Sequence, residues 1–199
     1  DLVLTRYAET VAKNSPPIRL LSPFGAADAY FAGFSWGNFG LNPPGRQTVW
    51  KASGDVLSPG KPVTLESSNR QGQRFRIELS VDDSYMFTVK QSVDNAGTGA
   101  VPVAAYGLIG RTGHSKDPDS WTMHTGPMAV FNGSADYGID FKEEVDEAPR
   151  GFQTTGGWLG YTDKYWLTAL IPDQAQPFRG QIRAVGKERY LAEYATQPK

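Results

Sequence analysis

His114 and His124 are the only histidines in the chain, and Lys116, Asp117 and Asp119 lie between them. Histidines gathered with a carboxylate in one cleft can pass protons at neutral pH, as anomer interconversion of a sugar requires. The surroundings do not predict such a cleft. His114 opens a polar Ser115-Lys116-Asp117-Pro118 stretch, and His124 ends an expected strand. The pattern predicts an exposed loop histidine and a hydrogen-bonded strand-end histidine.

Other residue types capable of chemistry are similarly scattered. Asp117 and Asp119 could join a calcium site, but they lack the full acidic set and fixed glycine of a calcium loop, and a solvated turn suits them better. Ser134 follows Asn132-Gly133 without the strand-to-helix setting of an activated serine. No glycine run precedes a lysine and a helix, so no phosphate loop is expected. Cysteine is absent, which excludes disulfides, thiolate metal sites and a cysteine nucleophile. Enzymatic activity, a metal and a cofactor are therefore not expected. The acidic run Glu143, Glu144, Asp146 and Glu147 reads as a wet face, or as a dock for a basic partner.

Aromatic residues offer a different kind of site. Trp36, Trp50, Trp121, Trp158 and Trp166 could stack on sugars or on an apolar peptide, although core packing is the expectation for each. Trp36 and Phe39, in a glycine- and asparagine-rich stretch, are the best placed for exposure. An extended peptide could instead add to an open sheet edge.

The elements that must carry these residues are strands. Phe75, Ile77, Leu79 and Val81 alternate with Arg74, Arg76, Glu78 and Ser80, the period of a strand with one wet face. Asp82-Asp83-Ser84 is turn chemistry, and Tyr85, Phe87, Val89 and Val93 form the return strand, with Gln91 as a break in the pattern. Further strands are predicted at 1–6, 30–36, 47–52, 63–68, 101–111, 120–123, 128–131, 137–141, 157–161, 165–171, 180–184 and 189–194. Polar or proline-rich connections fall at 14–17, 42–46, 113–119 and 143–151. Gly 22 and Pro 14 in 199 residues imply many turns, and 39% hydrophobic residues supply a core. The prediction is one all-β domain over 1–199, built as a large antiparallel β-sandwich. A net charge of −1 gives no reason to expect nucleic acid or an anionic membrane as partner. No run approaches a membrane span, and no signal peptide is recognised.

One stretch is more specific than the rest. Gly156-Gly157-Trp158-Leu159-Gly160-Tyr161-Thr162-Asp163-Lys164-Tyr165-Trp166-Leu167-Thr168-Ala169-Leu170-Ile171-Pro172 reads as strand, tight turn and strand. Gly156 and Gly157 allow a bulge or close backbone approach, and Pro172 closes the ladder. This order resembles the large periplasmic domain of the bacterial membrane protein insertase YidC. The hairpin from Gln73 to Val89, Val93-Asp94-Asn95 with Gly97, Tyr106-Gly107-Leu108-Ile109 and Gly126-Pro127-Met128-Ala129-Val130 fall in the order of that family, and the resemblance covers about residues 45–195.

The resemblance implies a β-supersandwich like the galactose-mutarotase-like folds, and a fold kinship of that kind carries no function. It implies a domain at the periplasmic face of the inner membrane, trimmed at both ends relative to the family domain. The function implied is aid to insertion and folding of membrane proteins, alone or with the Sec translocon and its SecDF accessory. Nascent membrane proteins are further partners, and membrane contact runs only through a transmembrane part that is missing here. The expected contact loops are 110–120, with Arg111, His114, Lys116, Asp117 and Asp119, and 143–151, with Glu143, Glu144, Asp146 and Glu147. The alternative is a carbohydrate-binding or aldose-epimerase-like sandwich.

Overall fold

The computed structural model describes residues 1–114, 124–137, 141, 150–186 and 188–199. Among these residues there are fifteen strands and no helix. In chain order they are β1 Leu2–Ala8, β2 Pro17–Leu21, β3 Tyr30–Trp36, β4 Lys51–Ala52, β5 Val63–Ser68, β6 Gln73–Val81, β7 Phe87–Asn95 and β8 Ala105–Thr112. Then follow β9 Gly126–Phe131, β10 Ser134–Asp136, β11 Arg150–Thr155, β12 Trp158–Thr162, β13 Leu167–Leu170, β14 Pro177–Ala184 and β15 Arg189–Thr196. The pairings are antiparallel, so the chain is an all-β protein of sandwich type.

The chain forms two compact units, one of residues 1–34 and 107–196 and one of residues 35–106 and 197–199. The first contains a four-stranded sheet ordered β10-β9-β12-β13, a five-stranded sheet ordered β11-β14-β15-β8-β3, and the ribbon β1-β2. Its core takes Ala129, Leu159, Tyr161 and Leu170 from the first sheet and Tyr30, Ile109, Phe178, Ile182, Tyr190 and Ala192 from the second. Facing apolar rows of this kind are what hold two sheets together, because removing them from water is the main favourable term.

The second unit is built on the meander β4-β5-β6-β7. The alternation in β6 places Phe75 and Ile77 in its core, at 0% and 6% exposure, with Val63 beside them. Arg74 and Glu78 face water. On that wet face Arg76 Nε donates to Glu66 Oε1 at 2.8 Å, and Arg76 Nη2 lies 3.7 Å from Asp94 Oδ2. The hydrogen bond from Arg76 is the main reason the Glu66 carboxyl is held below its usual range. Gln91 does not bulge the strand. It stays in register opposite Ile77, and its side-chain amide donates to the Ser35 carbonyl.

Three strands have no counterpart in the sequence pattern. β2 begins at Pro17 with Arg19 inside it, β10 is the short Ser-Ala-Asp return after Asn132-Gly133, and β11 carries one large apolar residue, Phe152. Each is held by a neighbour rather than by its own periodicity. Expected strand 47–52 shortens to Lys51–Ala52. The strand expected at 120–123, and 138–140 of the strand expected at 137–141, lie outside the described residues.

Candidate functional site

The Gly156–Pro172 signature forms β12, a tight turn and β13, and its residues are placed by identifiable contacts. Gly157 has φ +107, and a Cβ there would collide with the Val130 carbonyl. Gly160 is equally intolerant, because a Cβ would strike the backbone of Thr168 and Ala169. The Gln174 side chain clamps the entry to β12. It accepts from Gly157 N at 2.8 Å and donates to Gly157 O at 2.9 Å. Buried Thr154 Oγ1 accepts from Asn132 N at 3.0 Å and donates to Gly156 O at 2.9 Å. The turn closes with Asp163 N donating to Trp166 O at 2.8 Å.

Asp163 also pairs with a residue far away in sequence. Arg111 Nη1 and Nη2 donate to Asp163 Oδ2 and Oδ1 at 2.8 and 2.7 Å, a bidentate pair with both side chains largely removed from water. The guanidinium lies between two rings, 4.8 Å from the Tyr30 centroid and 5.2 Å from that of Phe141. Burial works against the charge on Arg111, but the hydrogen bond and attraction of Asp163 outweigh it, and the pKa stays above its ordinary value. Burial pushes the Tyr30 phenol up to about 12, although the nearby Arg111 charge opposes the rise.

Arg111, expected on a contact loop, is thus 7% exposed and committed to Asp163. The reason is local: β8 continues through Thr112, so position 111 is still in the sheet and points into the core. His114 is exposed, with its ring edge against Phe141 and Tyr190. His124 bonds through Nδ1 to Thr162 Oγ1 at 2.8 Å, and its ring meets Tyr137. The two histidines have different neighbours, and neither has a carboxylate partner among the described residues. Lys116, Asp117, Asp119, Glu143, Glu144, Asp146, Glu147 and Trp121 lie outside the described residues. Among the described residues, no three side chains of His, Asp or Glu group as metal ligands.

The expected exposure of Trp36 is overturned. Trp36 is buried against the Phe75 ring at 5.1 Å, whereas Phe39 is 49% exposed. Trp158 and Trp166 are half-buried, and Trp166 packs edge-on to Tyr7 at 5.1 Å. Asp163 and Tyr30 were not singled out by sequence reasoning, because an aspartate in a Thr-Asp-Lys turn resembles any solvated turn residue.

The outer face of the four-stranded sheet is apolar as well. Leu159 pairs with Leu170 and Ala129 on the core side. On the other side Trp158 pairs with Val130, Gly160 with Ala169 and Met128, and Thr162 with Leu167. Among the described residues β13 is the edge of this sheet. Tyr165, Leu167 and Ile171 are 69%, 51% and 54% exposed.

Two properties define the class: an all-β module, and a glycine-locked aromatic hairpin. The chain belongs to the YidC periplasmic domain family, which it matches over residues 1–199. It is 44% identical over 202 residues to the membrane protein insertase YidC of Zymomonas mobilis subsp. mobilis, covering 100% of this chain and 35% of that protein. The YidC insertase of Acidiphilium cryptum is 43% identical over 206 residues, covering 97% of this chain and 33% of that protein. That of Methylobacterium nodulans is 45% identical over 192 residues, covering 92% and 32%. The chain spans about a third of the length of these relatives. The family is not an enzyme family, and the carbohydrate-binding alternative finds no support in these relatives.

Proposed function

We propose that this chain is the periplasmic part of an inner-membrane insertase and assists insertion and folding of membrane proteins by surface contact, without catalysis. The family match over residues 1–199 carries this reading. The relatives are named membrane protein insertases, and nascent membrane proteins are the clients such a name implies. A polar groove within a membrane lowers the cost of moving hydrophilic segments, and that chemistry belongs to transmembrane parts rather than to a β-sandwich. The domain's share is contact with partner proteins, the Sec translocon and SecDF foremost, and with periplasmic segments of client chains.

The expected contact stretches 110–120 and 143–151, whose ends Gly110–Thr112 and Arg150–Gly151 belong to β8 and β11, are the proposed partner contacts, because connections on a rigid scaffold vary without disturbing its core. Arg111 is an anchor of the first loop rather than a contact residue. The carboxylates of the second loop give a salt-sensitive contact, since exposed charges are screened over about 10 Å at 0.1 M ionic strength. Site-specific crosslinking in cells from His114, Lys116, Glu144 and Asp146 tests this placement. SecDF adducts from these positions are expected. Adducts from the sheet faces alone would move the contact onto the sandwich.

A further inference from the structure

The β12–β13 ladder keeps one register from its turn outward. Asp163 N donates to Trp166 O at 2.8 Å, and further along Tyr161 faces Thr168 and Leu159 faces Leu170. Hydrogen-bonded pairs recur at every second residue of an antiparallel ladder. Counted from Asp163–Trp166, they fall at Tyr161–Thr168, at Leu159–Leu170 and, one step further, at Gly157–Pro172. That last pair cannot form in the ordinary way, because Pro172 has no N–H to offer the Gly157 carbonyl. The ladder accordingly ends at Leu159–Leu170. The Gln174 amide lies where the next pair would be. It accepts from Gly157 N at 2.8 Å, and its NH2 group donates to Gly157 O at 2.9 Å and to Pro172 O at 2.6 Å. Only one orientation of the amide fits, since an N–H must meet its oxygen and two carbonyls must meet its nitrogen.

We infer that Gln174 is a positioning residue whose side-chain amide replaces the peptide group that Pro172 cannot supply, and so clasps both ends of the signature hairpin, Gly157 at its entry and Pro172 at its exit. A carboxamide is a peptide group without its chain: one carbonyl and N–H donors on one planar unit. Gly157 uses both halves of it. Gln174 is exposed, so burial of its methylenes is not what fixes it there. The following turn holds it in place instead. Asp173 Oδ1 accepts from Ala175 N at 2.9 Å, and Asp173 O accepts from Gln176 N at 3.1 Å. Gly156 belongs to the same clasp, because a Cβ there would stand 3.3 Å from both the Gln174 carbonyl and its Oε1.

Amide hydrogen exchange, read residue by residue by NMR on the 199-residue chain, tests the assignment. Gln174→Ala is expected to speed exchange at Gly157 at least about tenfold, the net loss of one hydrogen bond, while amides of the interior strand β15 keep their wild-type rates. Pro172→Ala returns an N–H to position 172, so the ladder can close there by itself. In Gln174→Ala/Pro172→Ala the Gly157 amide is therefore expected to regain protection. Unchanged exchange at Gly157 in Gln174→Ala overturns the proposal. Faster exchange without rescue in the double variant also overturns it, since the side chain would then act by something other than replacing a peptide. Loss of protection in β15 as well overturns it in favour of a general structural support. Urea denaturation gives an independent reading. The fall in midpoint caused by Gln174→Ala is expected to be smaller in the Pro172→Ala background than in the wild type. Equal falls in the two backgrounds overturn the proposal.

Discussion

Arg111 and Asp163 meet fork to fork across 52 residues of sequence, one on β8 and the other in the β12–β13 turn. The pair fixes the turn that begins β13 to a strand of the opposite sheet. Breaking a buried pair on one side leaves a charge without its partner, at a cost of about 3–5 kcal/mol. Arg111→Ala and Asp163→Ala should each lose that much in urea denaturation. The double variant Arg111→Met/Asp163→Leu should lie closer to wild type than either single variant, because no lone charge remains.

Tyr30 should make the fold alkali-sensitive. Burial raises its phenol from 10.0 to about 12, so between those values the native state keeps a proton that the unfolded chain releases. The contribution, roughly 2–3 kcal/mol, is whole below pH 10 and is lost as pH rises towards 12. Thermal midpoints measured across this window should fall for the wild type and fall less steeply for Tyr30→Phe.

Gly157→Ala should destabilise by roughly 2–4 kcal/mol, because the new methyl meets the Val130 carbonyl and the backbone is already left-handed. Gly45→Ala is the matched control, with open space around the position. Chemical denaturation of the two variants separates the signature glycine from one that tolerates a side chain.

Trp166 and Tyr7 should show a coupling of about 0.5–1.5 kcal/mol in a double-mutant cycle, the usual size for an edge-on aromatic pair. Trp166→Ala should cost less than the roughly 3–5 kcal/mol of a fully buried tryptophan, since this ring is only half-buried. A cycle closing at zero would mean the two rings do not stabilise one another.

Much of the architecture was legible wherever burial has a period. β3 and β5 match their predicted bounds, and β6 buries Phe75 and Ile77 as its alternation predicts, whereas on the return Tyr85 lies in the turn before β7 and Phe87 is exposed. Legibility fails where a strand is held by its neighbour. β11 has a single large apolar residue and is fixed by pairing with β14. Trp36 misleads for a similar reason, since glycines and asparagines around it suggest a surface loop while Phe75 covers it from a distant strand. The Arg111–Asp163 pair was invisible because charge partners 52 residues apart leave no local pattern. The apolar character of Tyr165–Ile171 was present in the sequence, broken by Thr168, but its place beyond β12 among the described strands was not.

The position of β15 sets a timetable for the chain. Residues 189–196 lie between β14 and β8 in the five-stranded sheet, so the last described strand in chain order occupies an interior place. Until it arrives, β8 and β14 wait with open edges, and loop closure across so many residues is slow. The meander β4-β5-β6-β7 pairs only sequence neighbours and can assemble as it emerges. A chain exported amino end first therefore completes the meander early and holds the five-stranded sheet unfinished until β15 is delivered.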